Sequence, residues 1–154
     1  GVASQYASTG SNNSSLGVNT FRYNTSGSNN TAVGFEALKA NTTASLNVAI
    51  GVKALGANTT GSPNVAVGYE ALAANTTAAD NVAMGYKALL SNTTGSENTS
   101  VGSFSMNLNT TGLYNSAFGR LALRVNTTGV QNTAIGYQAL AANTTGSELI
   151  SVST

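Results

Sequence analysis

The groups in this 154-residue chain able to do chemistry are five carboxylates, six cations and many hydroxyls and side-chain amides. The acids are Glu36, Glu70, Asp80, Glu97 and Glu148. There is no His and no Cys, so neither a Ser-His-Asp nor a Cys-His nucleophile can be assembled. Zinc would lack its usual ligands, disulfides are excluded, and no Gly-rich run carries the Lys-Ser/Thr ending of a phosphate loop. The expectation is no catalytic residue, no cofactor site and no metal site. Asn-Thr-Thr or Asn-Thr-Ser triplets recur every 17 residues at Asn24, Asn41, Asn58, Asn75, Asn92, Asn109, Asn126 and Asn143 and are formally glycosylation sequons. They are open to modification if those Asn sit on exposed turns, and closed to it if they point inward.

What must position these groups is a repeat. The Asn opening each Asn-x-(Ala/Ser)-apolar-Gly motif falls at Asn13, Asn30, Asn47, Asn64, Asn81, Asn98, Asn115 and Asn132, always 17 residues apart. Residues 13–148 are thus eight uninterrupted copies, and residues 1–12 are a lead-in whose last six match the end of another copy. Residues 149–154 alternate apolar and polar after Leu149, as a capping strand or the start of a further segment. Within the unit, position 5 is always Gly, position 12 always Asn and position 13 always Thr.

Seventeen residues are too few for a helix pair, which needs about 33 or more. One long helix would meet Gly, Asn and Thr in every unit, all poor helix formers. The unit is therefore extended: two short strands at positions 1–5 and 6–10, bent at the glycine of position 5, then a turn rich in Asn, Thr and Gly. Stacked copies make a parallel β-solenoid, an all-β roll of eight coils spaced ~4.8 Å apart.

The columns set expectations for the interior. Positions 4 and 9 are always apolar, which nominates Val33, Leu38, Ile50, Leu55, Val67, Leu72, Met84, Leu89, Ile135 and Leu140 as core. The Asn of positions 1 and 12, among them Asn41, Asn58, Asn75, Asn92, Asn109, Asn126 and Asn143, either form amide ladders from coil to coil or supply left-handed turn conformations. Position 7 carries Glu36, Lys53, Glu70 and Lys87 in successive coils, a charge ladder that fixes register. It suits Glu36 and Glu70 better than a glycosidase pair, whose carboxylates face each other across a sugar. Two large apolar residues per coil make a thin core. The small residues at positions 3 and 5 either close the coil's own two layers or admit a neighbouring chain.

Only 7% of residues are charged and the net charge is +1, so no basic surface is available for a nucleic acid. No apolar run approaches the ~18 residues of a membrane helix. A chain opening at Gly1 reads as a processed protein or a fragment.

The unit Asn132–Gly146 (NTAIGYQALAANTTG) resembles repeats of bacterial and phage tail-fibre-like surface proteins. Its opening, as in Asn47–Gly51 (NVAIG), resembles the head repeats of YadA-type trimeric autotransporter adhesins, although those repeats are somewhat shorter. The resemblance implies a left-handed, trimeric parallel β-roll in an extracellular fibre on a cell surface or virion. Its partners would be copies of itself or filament neighbours, with a surface glycan or host receptor as candidate ligand. The competing expectation is an ice-binding or other surface-binding solenoid using the stacked Thr of positions 13 and 14.

Overall fold

The computed structural model describes residues 8–153. Residues 1–7 of the lead-in and Thr154 of the terminal segment lie outside the described residues. The protein is an all-β solenoid of about eight turns, with no helix among the described residues. One short strand recurs in each coil: β1 Ser14–Leu16, β2 Thr31–Val33, β3 Val48–Ile50, β4 Asn64–Val67, β5 Asn81–Met84, β6 Thr99–Val101, β7 Ser116–Phe118 and β8 Thr133–Ile135. The terminal segment adds β9, Ile150–Val152, against β8.

All nine strands lie in one parallel sheet in sequence order. The register equals the repeat, so that Ala66 stands opposite Ala83 and Val65 opposite Val82. A parallel pairing ordinarily needs a crossover of a dozen or more residues. The rest of the 17-residue unit is that crossover.

The expected second strand at positions 6–10 is a chain of tight turns instead. Its residues reverse direction through bonds such as Ala71 N–H to the Gly68 carbonyl and Asn75 N–H to the Leu72 carbonyl, 3.4 and 3.2 Å. The reason lies in the backbone: positions 7 and 9 have positive φ, as in Glu70 (53°) and Leu72 (50°). A strand sends neighbouring residues to opposite faces. The left-handed residue at position 9 breaks that alternation, so that Ala71 and Leu72, adjacent in sequence, are both fully buried. Such φ values cost roughly 1–3 kcal/mol per residue in a non-glycine. Stacking offsets the cost, because the turns still bond coil to coil: Leu72 N–H to the Ala88 carbonyl at 3.0 Å and Ala74 N–H to the Leu90 carbonyl at 3.1 Å.

Position 9 supplies the large interior side chains. Leu38, Leu55, Leu72, Leu89 and Leu123 are fully buried, with Phe21 and Met106 in the same column, and Leu140 packs partly buried at the end. The position 4 residues do not join them. Val33 and Val67 are half-buried, and Ile50, Met84 and Ile135 are 40%, 42% and 42% exposed. The core assignment for these five is corrected: within the strand, positions 1 and 3 point inward, so positions 2 and 4 point outward. The inward residues are the Asn of position 1 and the Ala or Ser of position 3, such as Asn64 and Ala66. Small residues at position 3 therefore face the coil's own interior, and the neighbour-admitting reading of that column is withdrawn. Coil six places Ser at both inward small positions, and both hydroxyls are bonded: Ser100 Oγ to the Ser105 carbonyl (2.9 Å) and Ser105 Oγ to the Ala117 carbonyl (3.4 Å).

Candidate functional site

The amide columns come first, because they decide what can be exposed. At position 12 each Asn donates one amide N–H to the Oδ1 of the Asn one coil back. The bonds run Asn41 to Asn24 (2.8 Å), Asn75 to Asn58 (2.9 Å), Asn92 to Asn75 (3.2 Å), Asn109 to Asn92 (2.8 Å), Asn126 to Asn109 (2.9 Å) and Asn143 to Asn126 (3.0 Å). Asn58 reaches Asn41 at 3.4 Å. The other N–H goes to a carbonyl three residues ahead, as from Asn41 to Ala44 at 3.0 Å. No Asn of positions 1 or 12 has positive φ among the described residues, so these amides do not serve as left-handed turn residues. The sequon amides from Asn24 to Asn126 are buried, and Asn143 is half-buried. Their nitrogens are fully engaged, which leaves no access for a modifying enzyme in the folded chain.

Position 13 hydroxyls are also committed to stacking. Thr42 Oγ1 donates to the Thr59 carbonyl at 3.0 Å, Thr59 to Thr76 at 3.0 Å and Thr110 to Thr127 at 3.0 Å. Only position 14 (Thr43, Thr60, Thr77, Thr94, Thr111, Thr128) presents an outward hydroxyl row. A flat two-rank hydroxyl array is therefore absent from this turn.

The charge column departs from an alternating ladder. Glu70 and Lys87, in successive coils, pair at 3.5 Å. Glu36 pairs instead with Lys39 of its own turn, at 2.7 Å, and Lys53 has no ion pair among the described residues. Positions 7 and 10 flank one turn, so the same-coil cation competes with the next-coil one wherever position 10 is Lys. Beside the Glu70–Lys87 pair, Tyr69 and Tyr86 stack with ring centroids 5.3 Å apart, and Phe104 meets Tyr86 edge-on at 5.1 Å. The Glu70 carboxylate pushes the Tyr69 phenol above its ordinary pKa. Tyr86 and, more weakly, Glu70 hold the Lys87 ammonium above its own.

The remaining surface of note is the outer face of the sheet. Positions 2, 4 and 6 form three parallel columns along the rod. Position 2 contributes Val48, Val65 and Val82; position 4 contributes Ile50, Met84, Phe118 and Ile135; position 6 contributes Phe35, Val52, Tyr69 and Tyr86. At strand spacing the face is ~40 Å long and ~13 Å wide. Ser14, Thr31, Thr99, Ser116 and Thr133 interrupt its apolar column at position 2, and Ser103 and Arg120 that at position 6, so that position 4 alone is apolar in every coil. Sequence reasoning missed this face, because an apolar column at position 4 fits either side of a short strand; the inward Asn of position 1, seen only in the packed coil, turns position 4 outward.

No acid cluster with the makings of a metal site occurs among the described residues, and the grooves beside Tyr23, Glu36, Lys39 and Lys53 and beside Phe104, Arg120 and Arg124 are open clefts on the turn side. No protein-family model, curated protein or solved structure matches the chain.

Proposed function

We propose that this chain is a non-catalytic structural segment of an extracellular fibre or adhesin, on a cell surface or virion, whose copies associate side by side through the outer face of the sheet. The observation that carries this reading is the outward apolar column of position 4, flanked in the middle coils by Val48, Val65 and Val82 and by Val52, Tyr69 and Tyr86. Ile50, Met84, Phe118 and Ile135 are each at least two-fifths exposed and stand in one row. Burying such a row is worth roughly 25 cal/mol per Å² of apolar area. The interior supports the same reading, since no coil buries more than one large apolar residue and the rest of each interior is Ala, Gly, Asn and, in the first and sixth coils, Thr or Ser. The tail-fibre and adhesin-head resemblance favours three copies in the assembly.

The Thr rows favour the fibre over an ice-binding surface. Position 13 spends its hydroxyls on the backbone of the next coil, and one outward row remains.

Light scattering across a dilution series tests the proposal. The expected result is an oligomer, with a trimer as the stoichiometry sought, whose melting temperature rises with protein concentration. A well-folded monomer with a concentration-independent melt overturns it.

A further inference from the structure

In a repeat protein the recurring residues build the coil, so neighbouring departures from the repeat serve something else. Coils six and seven depart together on one face. Position 7, which is Asn19, Glu36, Lys53, Glu70, Lys87 and Gln138 in the other coils, is Phe104 and Leu121 here. Position 11, Ala or Ser in coils two to five and in coil eight, is Leu108 and Val125. Coil seven also carries Arg120 at position 6 and Arg124 at position 10. Positions 7–11 form the turn layer. The bonds from Ser100 Oγ to the Ser105 carbonyl and from Ser105 Oγ to the Ala117 carbonyl set that layer across the interior from the strands. The departures therefore lie away from the outer face of the sheet.

These residues line two adjoining clefts, of about 440 and 430 Å³, that share Leu121 and Arg124. Each falls within the ~300–1,000 Å³ of ordinary ligand sites. Phe104, Leu108 and Leu121 give the first cleft apolar walls, and Leu108 is 41% exposed. Asn107 and Gln138 bring one side-chain amide to each cleft. Arg120 and Arg124 are exposed. Neither has a carboxylate partner among the described residues, and residues 98–131 contain no Asp or Glu. The Arg120 guanidinium lies 5.7 Å from the centre of the Tyr137 ring, and its Nη1 donates to the Tyr137 hydroxyl at 3.4 Å. An arginine oriented in this way keeps most of its donors for a ligand.

We propose that this double cleft binds an acidic oligosaccharide. The two guanidinium groups take its carboxylate or sulfate groups in forked hydrogen bonds. The C–H faces of the sugar rings pack on Phe104, Leu108 and Leu121, and the ring hydroxyls meet the amides of Asn107 and Gln138. An acidic peptide fits less well, because an extended peptide is held largely by main-chain pairing. The main-chain amides of Phe104, Leu108 and Leu121 are already spent between coils, at 2.9, 3.1 and 3.1 Å, so recognition falls to side chains. The inference does not rest on the side-by-side association proposed above, since it uses the opposite layer.

Titration calorimetry with a defined panel tests this. The probes are oligogalacturonate, oligosialic acid and a chondroitin sulfate oligosaccharide, each beside a counterpart whose acid groups have been reduced or removed, and a glutamate hexamer. The unaltered chain is compared with Arg120→Ala plus Arg124→Ala, and with Lys39→Ala plus Lys53→Ala, which removes the same charge from coils two and three. Circular dichroism checks the fold of each. The expected result is that at least one acidic sugar binds and that its neutral counterpart binds at least about tenfold more weakly. The arginine variant shows a similar loss, and the lysine variant binds as the unaltered chain does. Leu108→Ser, which leaves the charge untouched, also weakens binding. No binding by any acidic sugar, equal binding of the neutral counterparts, equal loss in the arginine and lysine variants, or no effect of Leu108→Ser overturns the site. Tighter binding of the glutamate hexamer than of every sugar overturns the sugar in favour of a peptide. Light scattering on the same samples reports association separately: a monomer that binds sugar keeps this site and overturns only the side-by-side reading.

Discussion

Asn64 and Asn75, at positions 1 and 12 of one coil, donate their amides to a single acceptor, the carbonyl oxygen of Ala78, at 2.9 and 3.1 Å. The same convergence recurs on Ala44, Gly61, Gly112, Gly129 and Gly146. The two ladders are thus tied together within every such coil, and the turn between them is held from both sides. No buried side-chain nitrogen or oxygen among the described residues lacks a partner. In an interior built largely of amides, that completeness decides stability.

Replacing Asn75 with Ala is therefore costly. It removes the bonds to Asn58 and Ala78 and strands the Asn92 amide that donates to Asn75. At about 1–3 kcal/mol per unsatisfied buried group, the loss is ~2–5 kcal/mol. Thr77→Ala, on the exposed row, stays within about 0.5 kcal/mol of the unaltered chain. Paired thermal melts check both, and equal shifts contradict the ladder's role.

The interior Leu column makes a second contrast. Leu72→Asp places an unpaired charge where no water reaches, and the fold is lost or melts far earlier. Glu70→Gln, on the surface beside Lys87, changes the melt by roughly 0–1 kcal/mol, the worth of an exposed ion pair. Circular dichroism during heating distinguishes them.

Outward position 4 predicts a separation between folding and assembly. Met84→Ser and Ile135→Ser leave the sheet signal of circular dichroism intact, because both side chains are over two-fifths exposed. The same changes weaken lateral association, read as an oligomer dissociating at higher protein concentration. Unfolding of both variants would return position 4 to the core.

Position 5 tolerates no side chain. Gly68 has φ of 140°, and a Cβ there would collide with the Gly85 carbonyl oxygen of the next coil. Gly68→Ala both strains the backbone and forces two coils apart, at an expected cost above ~2 kcal/mol. At Gly61, position 15, a Cβ would crowd the Ala78 carbonyl oxygen and the Asn58 amide just as closely. The backbone there is not left-handed, however, and Ala44 and Ala78 show that the column shifts to admit a methyl, so Gly61→Ala costs less than Gly68→Ala. Thermal melts of the two variants side by side check the difference.

Much of the architecture was legible without coordinates. A strict 17-residue period with Gly, Asn and Thr at fixed columns excludes helix and requires stacked coils, and the always-apolar column of position 9 nominates the interior residues that the structure buries. The Asn columns were legible as ladders or as left-handed turn residues: identical residues in register lie one strand spacing apart, within reach of an amide bond, and the backbone conformation that excludes the turn role is seen only in the structure.

What the linear pattern left undecided was parity. A strand of three or four residues satisfies an apolar column at position 4 with either face inward. The coil's interior resolves it, because the Asn of position 1 must reach both its neighbour in the stack and the carbonyl of position 15, as Asn64 reaches Asn47 and Ala78. That requirement turns Ala66 inward and Val67 outward. Likewise, the sequence reads positions 6–10 as a second strand, but only the packed coil shows tight turns there, with Ala71 and Leu72 both buried through a left-handed residue that no short-range propensity favours. Periodicity is a property of neighbours along the chain, so the sequence by itself determined the repeat, its register and its Leu column. Which side of each strand faces in depends on the side chains of a whole coil sharing one narrow interior, and the tertiary structure alone decided that.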